Sequence, residues 1–200
     1  MKRLADCRSC PRLVHNLKRL RTEQPDWHNG PVPSLGDPAS PLLVLGLAPG
    51  RQGANRTGLP FVGDPSSAWL QARLRERNCL DENDRPIGIR ISNAVKCLPP
   101  GNKPSTREIK LCGKQWLAPE LVNARVVLAL GRIAHDAVLR VFGERLSAYD
   151  FAHAAEHQIG SLVMVDSFHP SPLNTATGRL HPAQFDAALG RALKLCESTD

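Results

Sequence analysis

Four of the six cysteines in this 200-residue chain stand where they could share a metal. Cys7-Arg8-Ser9-Cys10 is a C-x-x-C pair. Two thiols cannot close a tetrahedral site, so the pair needs partners. Cys97 precedes a Pro99-Pro100 break and Cys112 lies about two turns into a helix predicted to start at Ser105. Both fall on connections near one end of a sheet, where the amino-terminal pair can fold back to meet them. Four thiolates suit either zinc or an iron–sulfur cluster, and spacing alone does not choose. Cys79 and Cys196 sit in apolar helical surroundings and read as ordinary thiols. A second constellation is polar. His169 lies in Phe168-His169-Pro170-Ser171-Pro172-Leu173-Asn174, where two prolines fix φ and hold His169 and Leu173 in set directions. A histidine just past a strand's carboxyl end is well placed for acid–base or hydrogen-bond catalysis. Asn93 ends another predicted strand, Phe61 sits in a glycine-rich loop, and both converge on the same sheet edge.

The elements that must carry these residues follow from periodicity. Residues 42–47 form a short apolar run, read as a buried parallel strand. A loop with Gly50, Gly53, Gly58 and Gly63 follows, then Asp64-Pro65 as the N-cap and first position of a helix over 65–77. Strand, glycine loop and helix is the arrangement by which α/β proteins build a site at a strand's carboxyl end. Further strands are predicted over 88–95, 125–130 and 162–166. Helices are predicted over 11–20 and 132–142, after Ser105 with its capping-box partner Glu108, and from Pro182 onward. The stretch 143–161, with Tyr149, Phe151, His153 and His157, reads equally as a lining of the DNA groove or as a hairpin or long loop over the sheet, and its histidines are assigned no role. The expectation is an α/β protein with three layers, α/β/α, around a mostly parallel four-stranded sheet, in one domain over 1–200.

Composition narrows the class. Lys plus Arg number 26 against 19 Asp plus Glu, a net charge of +7, which favours an anionic partner, nucleic acid first. No apolar run reaches membrane-spanning length, and the start MKRLADCRSC lacks a signal-peptide core. The expected compartment is the cytoplasm, nucleoid-associated in a prokaryote, where cysteines are ligands or free thiols more often than disulfides.

Five segments together carry a resemblance: PVPSLGDP (31–38), GLAPGRQGANRTGLPFVGD (46–64), NAVKCLPP (93–100), ALGRIAHDA (129–137) and DSFHPSPLN (166–174). The chain resembles the family 5 uracil-DNA glycosylases of the iron–sulfur branch. The resemblance implies the α/β/α glycosylase fold, a monomer acting on uracil-containing DNA, and a [4Fe–4S] cluster on Cys7, Cys10, Cys97 and Cys112 in preference to zinc. That cluster is taken to shape a DNA-contacting loop and not to act in redox chemistry. By position, Phe61 matches the aromatic that stacks on the extruded base and Asn93 the amide that reads the uracil edge. His169 matches the group on O2 of the leaving base, and Leu173 the wedge that fills the gap in the duplex. Ser171 and its loop amides are expected to hold a phosphate.

Two positions depart from the best-known glycosylases. Ala48 stands where they carry a water-activating aspartate, an absence that the family 5 enzymes share. It leaves the water's ligand open, with Asn55 a weak candidate and Asp64 read as a helix cap. Gly50 replaces the tyrosine that excludes thymine, so C5-substituted uracils and deaminated purines are expected substrates as well. A non-catalytic, metal-stabilised nucleic-acid-binding protein is the alternative; it leaves His169 and Asn93 idle.

Overall fold

The computed structural model describes residues 3–197, so the ends of the expected 1–200 domain lie outside the described residues. Helix α1 (Pro11–Glu23) opens on a proline, whose missing N–H costs nothing there, and buries Leu13, Leu17 and Leu20 along one face. Strand β1 (Leu42–Gly46) is buried throughout. The glycine loop after it contains one helical turn, α2 (Ala54–Thr57), and ends at α3 (Pro65–Glu76). Strand β2 (Ile89–Asn93) runs through Lys96 and Cys97 to α4 (Thr106–Cys112), where Ser105 and Glu108 form the expected capping box. A π-helical turn over Gly113–Leu117 joins α4 to α5 (Ala118–Leu121). Then come β3 (Val126–Leu130), α6 (Arg132–Phe142), β4 (Glu156–Ile159), β5 (Leu162–Ser167), α7 (Pro172–Ala176) and α8 (Pro182–Glu197).

The sheet has the order β2-β1-β3-β5-β4, five strands where the sequence suggested four. β1, β2, β3 and β5 are parallel, and β4 pairs antiparallel with β5 as a hairpin. The added strand is Glu156-His157-Gln158-Ile159, at an edge, with only Ile159 buried. An edge strand needs one partner and no apolar face, so it leaves no alternation to read. Elsewhere the two-residue period sends neighbours to opposite faces. Leu43, Leu45, Val127, Ala129 and Met164 pack under α4 and α6, while Leu42, Val44, Val126, Leu128 and Val165 pack under α3 and α8. The result is three layers, with the carboxyl ends of the parallel strands along one rim.

Just past β2, Lys96 is 1% exposed, and its ammonium reaches Glu120 Oε1 and Oε2 at 2.9 and 3.0 Å and the Ser92 hydroxyl. This buried pair fixes the segment that carries both Asn93 and Cys97. Removing Lys96 would leave Glu120 with the Ser92 hydroxyl at 2.8 Å and only the more distant Arg90 guanidinium, at 3.7 Å, as a charge partner. No helix among the described residues is long and apolar enough to cross a membrane.

Candidate active site

At that rim a cavity of about 260 Å³ is lined by Ala48, Gly50, Phe61, Asp64, Asn93, His169 and Ser171, among others. Three loops meet there. Asn93 ends β2 beside Gly46 of β1, its register partner. A Cβ at Gly46 would stand 2.5 Å from Phe61 Cζ and 2.7 Å from Asn93 Oδ1, so only glycine lets the ring and the amide share this corner. Phe61 has φ +53, a conformation L side chains rarely hold, and its carbonyl accepts from Gln71 Nε2 at 3.1 Å. Strain of this kind is kept where the surroundings over-determine it, and here it turns the ring onto the cavity. The Phe61 and His169 rings are 6.2 Å apart at 33°. They leave a slot between an aromatic face and an imidazole.

His169 is aimed by its own loop. Its carbonyl accepts from the Ser171 amide and from Asn174 Nδ2, both at 2.8 Å. One residue back, the Phe168 amide donates to His153 Nδ1 at 3.3 Å, His153 stacks on the Phe168 ring, and Arg179 lies over that ring at 4.4 Å. Burial lowers the His169 pKa, and the Asp64 charge pulls it the other way. The ring therefore enters neutral solution uncharged. Neither His169 nor Asn93 makes a side-chain hydrogen bond to another described residue. Ser171 lines the cavity as the residue before α7, and Leu173, 74% exposed, projects from that helix into solvent.

Asp64 does more than the cap expected of it. Its Oδ1 accepts from Ser67 N at 2.8 Å and Ser67 Oγ at 2.7 Å, which starts α3. Its Oδ2 is turned the other way, against Gly50 and Gly53, and borders the cavity. A Cβ at Gly50 would come within 2.9 Å of that oxygen. The space beside Gly50 is thus not simply vacant. Glycine there makes room for a carboxylate at one edge of the space expected beside C5. Asn55, the expected water-orienting residue, sits behind the glycine loop, and its buried Oδ1 has no partner among the described residues. Asn55 is fully buried, donates from Nδ2 to Asn29 Oδ1 at 2.8 Å and from its amide to the Gly50 carbonyl at 3.0 Å, and is not among the cavity's lining residues. It braces the glycine loop from behind.

A second site forms where α1 meets the loop after β2. Cys7, Cys10, Cys97 and Cys112 line one small hollow with Ser9, Lys96 and Trp116. Arg12 joins α1 to α4 through a two-pronged pair with Glu108, at 2.9 and 2.6 Å, and Ser9 Oγ donates to Gln115 at 2.8 Å. Burial, reinforced by the other three thiols, pushes Cys97 up to about 12; burial pushes Cys112 up to about 11. Such thiols ionise together only around a cationic centre. The Lys96 amide donates to Cys112 Sγ at 3.3 Å, a contact suited to a ligating sulfur. Among the described residues, the only set of three or more His, Cys, Asp or Glu groups with all ligand atoms within 4.8 Å is elsewhere, at His135, His157 and Asp166. Cys79 and Cys196 belong to the core on the opposite face of the sheet, as expected of ordinary thiols.

Comparison with known proteins identifies the family and the fold. The model of the uracil DNA glycosylase superfamily matches residues 33–192. A type-5 uracil-DNA glycosylase of Thermus thermophilus is 41% identical, over 96% of this chain and 94% of that protein. The chain belongs to the uracil-DNA glycosylase superfamily, in its type-5 family. A type-5 enzyme of Pyrobaculum aerophilum is 38% identical, over 96% and 90% of the two chains. The crystal structure of Pedobacter heparinus SMUG2 superposes with a TM-score of 0.51 at 13% identity, covering 96% of this chain and 86% of that one, which establishes likeness of fold. In this glycosylase fold the structure gathers Ala48, Gly50, Phe61, Asn93, His169 and Ser171 into one cavity, and the four cysteines into a hollow of their own. It leaves Asn55 out and adds Asp64. The signal for Asp64 was present in the glycine spacing, since Gly50 and Gly53 are the positions that clear its carboxylate. Of the two alternatives for 143–161, the structure shows the hairpin, and Tyr149 and Phe151 pack edge-on against His157 and His135.

Proposed function

We propose that this site removes uracil from DNA by taking the base out of the helix into the cavity and hydrolysing its N-glycosidic bond, leaving an abasic site for base-excision repair. One observation carries the reading: the Asn93 amide, the His169 imidazole and Asp64 Oδ2 all border a cavity walled by the Phe61 ring, and none is consumed by the protein's own hydrogen bonds. A few polar groups left unengaged at the wall of an otherwise apolar cavity are what orients a ligand there.

The chemistry follows from the placement. Phe61 stacks on the extruded base, worth about 1–3 kcal/mol. Asn93 offers one amide oxygen and one NH₂, complementary to the N3–H and O4 of uracil. As the bond to the sugar breaks, negative charge gathers on the base. His169, neutral because it is buried, donates its N–H to O2 and stabilises the departing anion without first taking up a proton. Asp64 Oδ2 faces the positively charging sugar and orients the attacking water, the duty that Ala48 cannot perform. Leu173 fills the gap in the duplex, a device shared by other DNA-distorting proteins. Ser171 and its neighbouring amides take the adjacent phosphate, and the basic surface makes binding sensitive to salt. The enzyme acts as a monomer in the cytoplasm. Its substrates extend to C5-substituted uracils that fit beside the Asp64 carboxylate, with 5-hydroxymethyluracil the test case.

The four cysteines hold a [4Fe–4S] cluster. Support comes from the all-sulfur donor set gathered in one hollow and the N–H donor to Cys112. Bound there, the cluster supplies structural cross-linking, tying α1 to the loop that carries Asn102 to the cavity rim. The non-catalytic alternative gives no task to Asp64 Oδ2 or His169. A single-turnover assay on a uracil-containing duplex, with His169→Ala beside wild type, tests the proposal. Cleavage at alkali-labile abasic sites is expected for the wild type and reduced about 10²–10³-fold in the variant. Equal rates would defeat it.

A further inference from the structure

We infer that His135, His157 and Asp166 form a zinc site separate from both the catalytic cavity and the cysteine hollow. The three come from α6, β4 and β5. His135 Nδ1 faces Asp166 Oδ1 at 2.9 Å, His157 Nε2 faces Asp166 Oδ2 at 3.1 Å, and all ligand atoms lie within 4.8 Å of one another. None of the three lines the catalytic cavity.

The argument turns on the other nitrogen of His135. Its Nε2 lies 3.2 Å from the Tyr149 carbonyl, which can only accept, so Nε2 carries the hydrogen. A neutral His135 then aims the lone pair of Nδ1 at a carboxylate oxygen. Two acceptors at 2.9 Å in a fully buried place require a cation between them. That cation is a proton or a metal ion. Convergence of a third ligand atom, His157 Nε2, favours the metal, since two imidazoles and a carboxylate are a zinc-type donor set. A backbone carbonyl on the remote nitrogen is the usual way a ligating histidine is held in its tautomer. The rings are fixed as well: His135 and His157 stand 5.2 Å apart at 77°, with Phe151 and Tyr149 edge-on to them. With its side chain 12% exposed, His157 provides the way in. An ion here would clamp the edge hairpin to α6 and stiffen β5, the strand that leads to His169.

His157→Gln is the discriminating variant, because the amide still donates to Asp166 but cannot replace the imidazole as a ligand. The iron-loaded protein, purified without oxygen, is equilibrated with zinc, passed through gel filtration and assayed for both metals. Wild type is expected to retain about one zinc per chain and the variant less than a tenth of that, at equal iron content. Wild type without zinc, or a variant that keeps it, overturns the site and leaves a proton between His135 and Asp166. Should the variant fail to fold, long-range ¹H–¹⁵N spectra of wild type decide. His135 Nδ1 and His157 Nε2 must shift together when zinc is added, and unchanged spectra reject the proposal.

Discussion

Two histidine–carboxylate pairs lie within one fold and have opposite characters. His135 and Asp166 are wholly buried, and each polar atom of their side chains faces a partner: Tyr149, His157, or one another. His169 and Asp64 both line a cavity, and neither the His169 ring nor Asp64 Oδ2 has a hydrogen-bond partner among the described residues. The residue types are the same; what differs is whether protein or open space faces them. A pair closed in by the protein holds elements together, and a pair facing a cavity waits for a substrate. The first should therefore govern stability and the second rate.

The largest expected effect tests the enclosed pair. Asp166→Ala removes the carboxylate that faces both imidazoles inside the sheet and leaves His135 Nδ1 facing nothing. Denaturant unfolding should show a loss of about 3–5 kcal/mol, the usual result of breaking a buried charged network. Catalysis by the fraction still folded should be little changed. A variant as stable as wild type would erase the distinction drawn between the two pairs.

The reverse is expected of the cavity. His169→Ala should slow single turnover about 10²–10³-fold while the unfolding midpoint stays within a degree or two. Asp64→Asn is subtler, because asparagine caps a helix about as well as aspartate and Ser67 keeps its partner. Stability should hold, and the rate should fall about tenfold to a hundredfold through loss of the oriented water and of the charge facing the sugar. If that variant instead unfolds early with its rate intact, Asp64 is a cap and nothing more.

This contrast also explains which parts were legible in the sequence. The parallel strands β1, β2, β3 and β5 were readable because burial on both faces writes continuous apolar runs. Strand β4 was not, since Glu156, His157 and Gln158 form an edge with no face to declare. His169, Phe61 and Asn93 were found through rigid or glycine-rich loops at strand ends, where local chemistry betrays position. Asp64 was half-read: its cap is a local fact, visible in Asp64-Pro65, but its second oxygen gains meaning only when Gly50 and Gly53 fold against it. Asn55 misled for the converse reason. A polar residue in the right loop was buried against Asn29, some 26 positions away, and no local signal announces such a pairing. His135 and His157 were passed over because a buried triad assembled from three elements has no spacing to recognise.

The smallest effect expected is the most specific to the cavity. Burial holds the His169 pKa below the ordinary imidazole value of about 6.5, and Asp64 opposes that shift. Because the folded value lies below the unfolded one, the unfolded chain binds the extra proton between them. The stability owed to a neutral His169 is thus complete above about pH 6.5 and is lost progressively as pH falls through that point. In an NMR titration the His169 ring should titrate below 6.5 in wild type. In Asp64→Asn it should titrate lower still, because the nearby charge that favoured the imidazolium is gone. The rate should correspondingly be level from pH 8 to 6.5, with no step at the ordinary imidazole value. A His169 that titrates at or above 6.5, or whose pKa rises when Asp64 is neutralised, would mean that the ring is not isolated beside that carboxylate. The cavity pair would then be as tightly engaged as the pair formed by His135 and Asp166.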